Sequence, residues 1–325
     1  MIMYKIISRK ELTNLLSDPI LAEELSLSHG CSHLIVDTQS SGKWPKDLYP
    51  GRCPIIALGS EQDIDPAAPI DMICSEEQID LVVKSIAAQP EASSIACQVL
   101  KTNTLLDSSQ GLIVESLAYS VLLESHSFQS WLKTREKTRD QNRNDANVII
   151  ERENDTLHIT LDRPRRHNAY SESLKDKFCD ALQLPIADPS IVQVIISGKG
   201  PSFCSGGDLD EFGSVTNASS SHISRISRSA GNLLSKIRDI THFKVHGACI
   251  GAGIELTAFS GSISAHEASF FQLPEVSMGL IPGAGGTVSI NKRIGRWRTA
   301  YMAITGSRID SQTALEWGLV DELFT

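Results

Sequence analysis

The sequence predicts an α/β protein in two parts, on three observations. Short apolar β-like runs alternate with helical stretches through the first half. In the second half a strand, a Gly-rich turn and a helix follow one another twice. Between the halves lies a charged stretch, Arg135 to Asn147 (REKTRDQNRNDAN), without large apolar residues. It reads as a linker or a frayed helix end, so the expected division is 1–145 and 146–325.

In the first part, HLIVDT (His33 to Thr38), PIIALG (Pro54 to Gly59) and DMIC (Asp71 to Cys74) read as buried strands. Ser75 to Ala88 reads as a helix capped by Ser75, with Ile79, Val82, Val83 and Ile86 on one face. This alternation predicts a small parallel α/β unit. A long helix, Leu112 to Lys133, is expected to end it. Its apolar residues are too dense for a helix in water, so Leu117, Leu122, Phe128 and Trp131 should pack on something large.

The second part opens with a hairpin, Val148 to Arg152 and Thr156 to Leu161, around an Asn154-Asp155 turn. Ile191 to Gly198 and Lys244 to Gly251 read as further buried strands. The Ser-rich tract Asn217 to Ser229 reads as a mobile loop leading into a helix. Each strand-to-helix turn gathers backbone N–H groups at a helix N-terminus, where negative charge is stabilised.

Composition narrows the function classes. Of 325 residues 41% are hydrophobic and 21% charged, which supports sizeable cores. The formal net charge of −9 argues against nucleic acid as the main partner. Seven cysteines, an odd number without a CxxC pair, point away from a disulfide framework or zinc site and towards a reducing cytoplasm. No apolar run reaches the ~18 residues of a membrane span, and the opening residues lack the apolar core of a signal peptide. The expectation is a cytoplasmic protein without membrane insertion. No metal-ligand cluster or phosphate-loop pattern GxxxxGK[ST] occurs.

Four segments carry the chemistry: DRPRRHNAYS (Asp162 to Ser171), SGKGPSFCSGGDLDEF (Ser197 to Phe212), VHGACIGAGIEL (Val245 to Leu256) and FFQLPEVSMGLIPGAGGT (Phe270 to Thr287). In this order and spacing they resemble the crotonase (enoyl-CoA hydratase/isomerase) family, and the tail ITGSRIDSQTALEWGLVDEL (Ile304 to Leu323) is similar too. The likeness covers Val148 to Thr325. It implies a crotonase-like ββα spiral core, preceded here by the small α/β domain, and an acyl-CoA thioester whose enolate is stabilised.

That chemistry needs two convergent N–H donors for the thioester oxygen. The family pattern puts them at Gly207 and Ala252, the latter where glycine is common. Glu255, on the first turn after Gly251, and Glu275, after Pro274, match the family's two acidic positions and would serve as catalytic acid and base. Which does which stays open. The resemblance places Arg163, Arg165, Ala169, Phe203, Gly206, Gly251 and Gly283 around the substrate or its CoA, with Arg166 a further phosphate candidate. Asp208 reads as an N-cap, Cys204 and Cys249 as packing residues, and His246 as structural. No metal and no cofactor beyond the substrate's CoA is expected.

Departures from the family pattern keep other activities open. Gly261 stands where an Asp is common, an N-terminal part is added, and the sequence stops at Thr325, where relatives continue with helices that cover the acyl-CoA. The first reading is an enoyl-CoA hydratase or hydratase/isomerase. A cofactor-free oxygenase or other enolate-forming enzyme on a bulkier, aryl acyl-CoA is the second. A non-catalytic acyl-CoA-binding subunit is the third. The family also implies a homo-oligomer, trimer or hexamer.

Overall fold

The computed structural model describes residues 6–38, 44–61, 64–135, 146–214 and 217–325. Residues 136–145 of the expected linker lie outside them. The first part runs β1 (Ile6–Ser8), α1 (Arg9–Ser17), α2 (Pro19–Glu24), β2 (Leu34–Asp37), β3 (Ile55–Leu58), β4 (Met72–Cys74), α3 (Ile79–Ala88) and α4 (Pro90–Asn103). The four strands pair in sequence order, all parallel. Successive strand residues face opposite sides, so each side of the sheet finds its own helices. Val36, Ile55 and Ala57 meet Leu12 and Leu16 of α1, while Ile35, Ile56 and Met72 meet Val82, Val83 and Ile86 of α3. Ser75 does not cap α3: its N–H donates to Gln78 Oε1 (3.0 Å) and regular helix begins at Ile79.

The expected long helix is two. α5 (Ser108–Leu123) starts at a capping box, Asp107 with Gln110, and α6 (His126–Thr134) restarts where Ser125 Oγ accepts the Phe128 N–H (3.2 Å). Leu122 and Phe128 are buried and Trp131 is half-buried, but Leu117 points outward. The helical period explains this difference. Ile113, Leu117 and Val121 form one exposed stripe at four-residue spacing, and Leu112, Glu115, Tyr119 and Leu122 form the inward face.

The second part runs β5 (Asn147–Glu153), β6 (Thr156–Asp162), α7 (Glu172–Ala187), β7 (Gln193–Gly198), α8 (Ala218–Ser227), α9 (Ala230–Lys236), β8 (Thr241–Val245), β9 (Ala248–Ile250), α10 (Ala252–Thr257), β10 (Ser262–His266), β11 (Phe270–Gln272), α11 (Gly286–Thr305), β12 (Ile309–Asp310), α12 (Ser311–Trp317) and β13 (Glu322–Phe324). One sheet has the order β13-β10-β8-β7-β6-β5, and a smaller one β12-β11-β9. The chain crosses from the large sheet to the small one between β8 and β9, and again between β10 and β11. That alternation, with a helix after each crossing, is the ββα spiral. The expected single strand Lys244 to Gly251 is therefore split, at Gly247 (φ +59°), where a Cβ would strike the Pro201 carbonyl. The hairpin forms as expected, with Asn154 at φ +56°.

The Ser-rich tract is a helix, α8, capped by Asn217 Oδ1 on the Ser220 N–H (3.0 Å). Tertiary contacts override its poor helical composition. Arg225 Nη1 donates to Ser221 Oγ (2.8 Å) and Nε to Ser116 Oγ of α5 (3.2 Å), and the guanidinium lies 4.4 Å over the Tyr119 ring.

Packing runs across the expected division. Ala92, Ala96, Val99, Leu122 and Phe128 belong to the same apolar core as Leu157, Ile196, Phe243 and Leu280. Arg296 and Trp297 of α11 donate to the carbonyls of Ala68 (2.7 Å) and Ile70 (2.9 Å) in the first part. A chain truncated to begin at Ala146 would expose that shared core, and it is expected to aggregate or to run as a non-native species in size-exclusion chromatography. A soluble, cooperatively unfolding fragment would contradict this packing.

Candidate active site

Three turns converge on one cavity, and each is shaped by contacts that admit no side chain. In the first, Phe203 N–H donates to His246 O (2.8 Å) and Cys204 N–H to Ala248 O (3.1 Å), which zips the turn onto β9. Gly206 sits at φ +96°, where a Cβ would lie 3.2 Å from the Ile250 carbonyl. In the second, Gly251 (φ +49°) precedes α10, and a Cβ there would strike Glu275 Oε1. The third is the run Gly283 to Gly286, which leads into α11. A Cβ at Gly283 would lie 2.5 Å from the Tyr119 ring, and at Gly286 2.7 Å from Glu255 Cγ.

A cavity of about 470 Å³ lies between these turns, α5, α8 and α9. Gly207, Ala252, Glu255, Glu275 and Gly283 all line it. Ala252 is the first residue of α10, so its N–H has no carbonyl one turn back. The Tyr170–Gly207 bridge uses the N–H groups of Tyr170 and Asp208 (2.8 and 3.2 Å) and leaves that of Gly207 out.

Both acidic residues are buried. Glu255 Oε2 accepts the N–H groups of Ala284 (2.7 Å) and Gly286 (2.9 Å), and Oε1 takes no hydrogen bond from the described residues. Burial pushes its carboxyl up to about 7 against those two donors. Glu275 Oε2 takes no hydrogen bond among the described residues. Burial first, and then the Glu255 charge, hold the Glu275 carboxyl well above the usual range. A third carboxyl, marked by no motif, joins them. Glu115 of α5 is 1% exposed and lines the same cavity. Its Oε1 accepts the Gly285 N–H (2.7 Å), and its Oε2 accepts the Thr287 N–H (2.9 Å) and hydroxyl (2.6 Å). The available signal was composition: Glu115 is the one charged residue in SSQGLIVESLAYSVLL. No group of three acidic, His or Cys side chains among the described residues is arranged to hold a metal ion.

Arg163, Arg165, Ala169, Phe203, Gly206 and Gly251 do not line the cavity. Arg163 is buried against Asp208 (2.6 Å) and the Ala169 carbonyl (3.1 Å), so it braces the turn instead of facing a phosphate. Arg166 joins this cluster through Asp208 and Asp210 (3.0 and 2.6 Å), and Arg165 is exposed away from it. Ala169 is buried under the same loop, and Phe203 packs edge-on against Phe243 in the core. Gly206 and Gly251 act through the close approaches already described. Asp208 caps the turn Leu209–Glu211 by accepting the Asp210 N–H (3.1 Å). Cys204 and Cys249 are buried opposite each other in a strand bridge, and His246 Nε2 meets the Gly200 carbonyl (2.7 Å).

A ββα spiral with its cavity at the Gly-rich turns defines a crotonase-fold protein. Residues 151–325 match the family model described as enoyl-CoA hydratase/isomerase. The chain is similar to the 2,3-dehydroadipyl-CoA hydratase of Escherichia coli (strain K12), at 31% identity over 55% of this chain and 69% of that protein. It is similar also to the mitochondrial enoyl-CoA hydratase of Pongo abelii, at 31% identity over 51% of this chain and 56% of that one. Among solved structures, an enoyl-CoA hydratase from Thermoplasma volcanium GSS1 superposes with a TM-score of 0.51 and 29% identity, over 55% of this chain and 71% of that one. The chain belongs to the enoyl-CoA hydratase/isomerase family.

The buried Arg163–Asp208 pair gives a direct test of its bracing role. Arg163→Met would leave Asp208 with Arg166 alone, and unfolding in urea should show a loss of about 3 kcal/mol. Stability within about 0.5 kcal/mol of the parent, together with weakened CoA binding, would make Arg163 a ligand contact after all.

Proposed function

We propose that this chain hydrates an enoyl-CoA thioester, with Glu255 as base and Glu275 as acid. The observation that carries the reading is the convergence of two unlike buried carboxyls and two turn N–H groups on one cavity. The thioester oxygen would sit against the N–H groups of Gly207 and Ala252. Each such donor is worth about 2.7–4 kcal/mol of barrier as negative charge develops. Glu255, held by two N–H groups and titrating at about 7, is the group suited to be ionised. Its Oε1 takes a proton from water, the water oxygen bonds to Cβ, and the π electrons move onto the thioester oxygen. Glu275, kept neutral by burial and without a partner on Oε2, then delivers its proton to Cα. One water is added and no electrons change hands, so no metal, flavin or nicotinamide is called for.

The relatives named hydratases and isomerases support the thioester class, and the chain spans only 56–69% of the two curated relatives described above. Glu255→Gln and Glu275→Gln are each expected to lower kcat by about 10²–10⁴-fold, with the affinity for the thioester within roughly threefold of the parent. Weakened binding with unchanged turnover would make them ligand contacts. The rate should rise with pH through about 7 as Glu255 ionises, and fall again only at higher pH, when Glu275 loses its proton. A panel of acyl-CoA thioesters followed by mass spectrometry, with and without oxygen, separates the alternatives. Gain of one water supports hydration, and oxygen uptake with thioester consumption supports an oxygenase. Tight binding without any product supports a carrier subunit.

A further inference from the structure

The four N–H groups at the head of α11 are shared between two helices' carboxylates in strict alternation. Ala284 and Gly286 donate to Glu255, and Gly285 and Thr287 donate to Glu115. The two acids come from opposite halves of the sequence, α10 and α5, and both line the cavity. Thr287 Oγ1 accepts from Asn103 Nδ2 (3.0 Å), so its own proton goes to Glu115 Oε2. We propose that Glu115 is a positioning residue of the active site: through this interleaved ladder it fixes the N–H groups that hold Glu255, and the protons of the two carboxyls are coupled. The role assigned to Glu255 rests on the hydratase reading, but the coupling between the two carboxyls does not.

The geometry leaves few other influences on the pair. Facing it are Tyr119 of α5, Arg225 and His222 of α8, Glu275, Tyr170 and Cys204. None of these forms an ion pair with Glu115 or Glu255 among the described residues. Arg225 is committed to the hydroxyls of Ser116, Ser120 and Ser221, and Arg228, which also lines the cavity, pairs with Asp176 and Asp180. The two carboxylates therefore meet each other's charge with only backbone dipoles and one hydroxyl between them. Burial and then the Glu255 charge push Glu115 up to about 8, which is the same coupling read from the other partner. The sign follows from the order of ionisation. Glu255, at about 7, loses its proton first, and its charge then raises Glu115, so neutralising Glu255 must lower the pH at which Glu115 ionises.

The test is a carboxyl titration by 13C NMR on the full chain labelled at glutamate Cδ, with Glu115→Gln used to assign the Glu115 signal. In Glu255→Gln that signal should titrate lower than in the parent by roughly one pH unit. In Glu255→Asp, which keeps the charge, it should stay close to the parent. An unchanged midpoint in a folded Glu255→Gln chain overturns the proposal. If that variant does not fold, the parent decides. Its Glu115 and Glu255 signals should each show two inflections, and two independent single-step curves overturn the coupling. With an active enzyme, the pH–rate profile should carry a further step near 8 as Glu115 ionises beside Glu255, and Glu115→Gln should remove it. A residue with only a structural role would lower the plateau and leave the shape of the profile in place. Failure of the parent to hydrate any thioester would sink the hydratase reading while leaving the titrations intact.

Discussion

Three carboxyl groups buried around one cavity pose the energetic problem that the rest of this site answers. An isolated buried carboxylate is expensive, and three side by side repel one another as well. No lysine or arginine forms an ion pair with Glu115, Glu255 or Glu275 among the described residues. The compensation comes from the backbone, through the N–H groups of residues 284–287 at the positive end of α11. Glu275 receives none of these donors and is accommodated as the neutral acid. Backbone donors differ from a flexible ammonium group in that their directions are fixed by the turn. The carboxyl they hold is thereby aimed as well as stabilised.

This dependence accounts for the sequence Pro282 to Thr287, which composition alone leaves as a generic loop. Gly283 admits the Tyr119 ring, Gly285 takes φ +110° beside Phe259, and Gly286 makes room for the Glu255 side chain. A larger residue at any of them would push the N–H groups off their acceptors. The same constraint ties the first half of the chain to the second. Glu115 can reach Gly285 and Thr287 only if α5 lies on the turn. Leu122 and Phe128, in the core shared with the second half, and the Asn103–Thr287 hydrogen bond hold that neighbourhood together. The aromatic group of Phe128, Trp131 and Phe212, with centroids 5.7–6.4 Å apart, extends the wall to the rim of the cavity.

What could be read from the sequence, and what could not, follows from how far each partner lies along the chain. Glu255 and Glu275 were visible because each is embedded in a short motif whose glycines sit within a few residues. Gly207 and Ala252 were visible for the same reason. Glu115 was not, since its donors lie 170 and 172 positions away and nothing local marks it beyond an isolated charge in an apolar helix. Arg163 misled in the opposite direction. A basic loop near the expected CoA site suggests phosphate, but Asp208, 45 residues on, had already claimed it. The Ser-rich stretch became α8 for a tertiary reason, its Arg225 and His222 anchoring on Ser116 and Ser120 of α5. The strands of both sheets needed no such partners, because alternating burial is written into each short run.

An enolate gains most from its hydrogen bonds when water is kept away, since the same N–H groups are worth far less in a high dielectric. In this chain α5 forms one wall of the cavity, and it is the helix that also delivers Glu115. Closing the cavity and setting the proton affinity of its acids are thus two consequences of one packing arrangement. A change that loosens α5 should act on both at once, by admitting water and by freeing the Gly285 and Thr287 N–H groups that Glu115 holds. Water beside Glu255 would favour its ionised form while weakening every hydrogen bond in the cavity. Under the proposed hydration an ionised base would then be easier to obtain, but in a site less able to hold an enolate. That conflict gives a physical reason for anchoring α5 on those two N–H groups, which an apolar side chain of the same volume would leave unpaired.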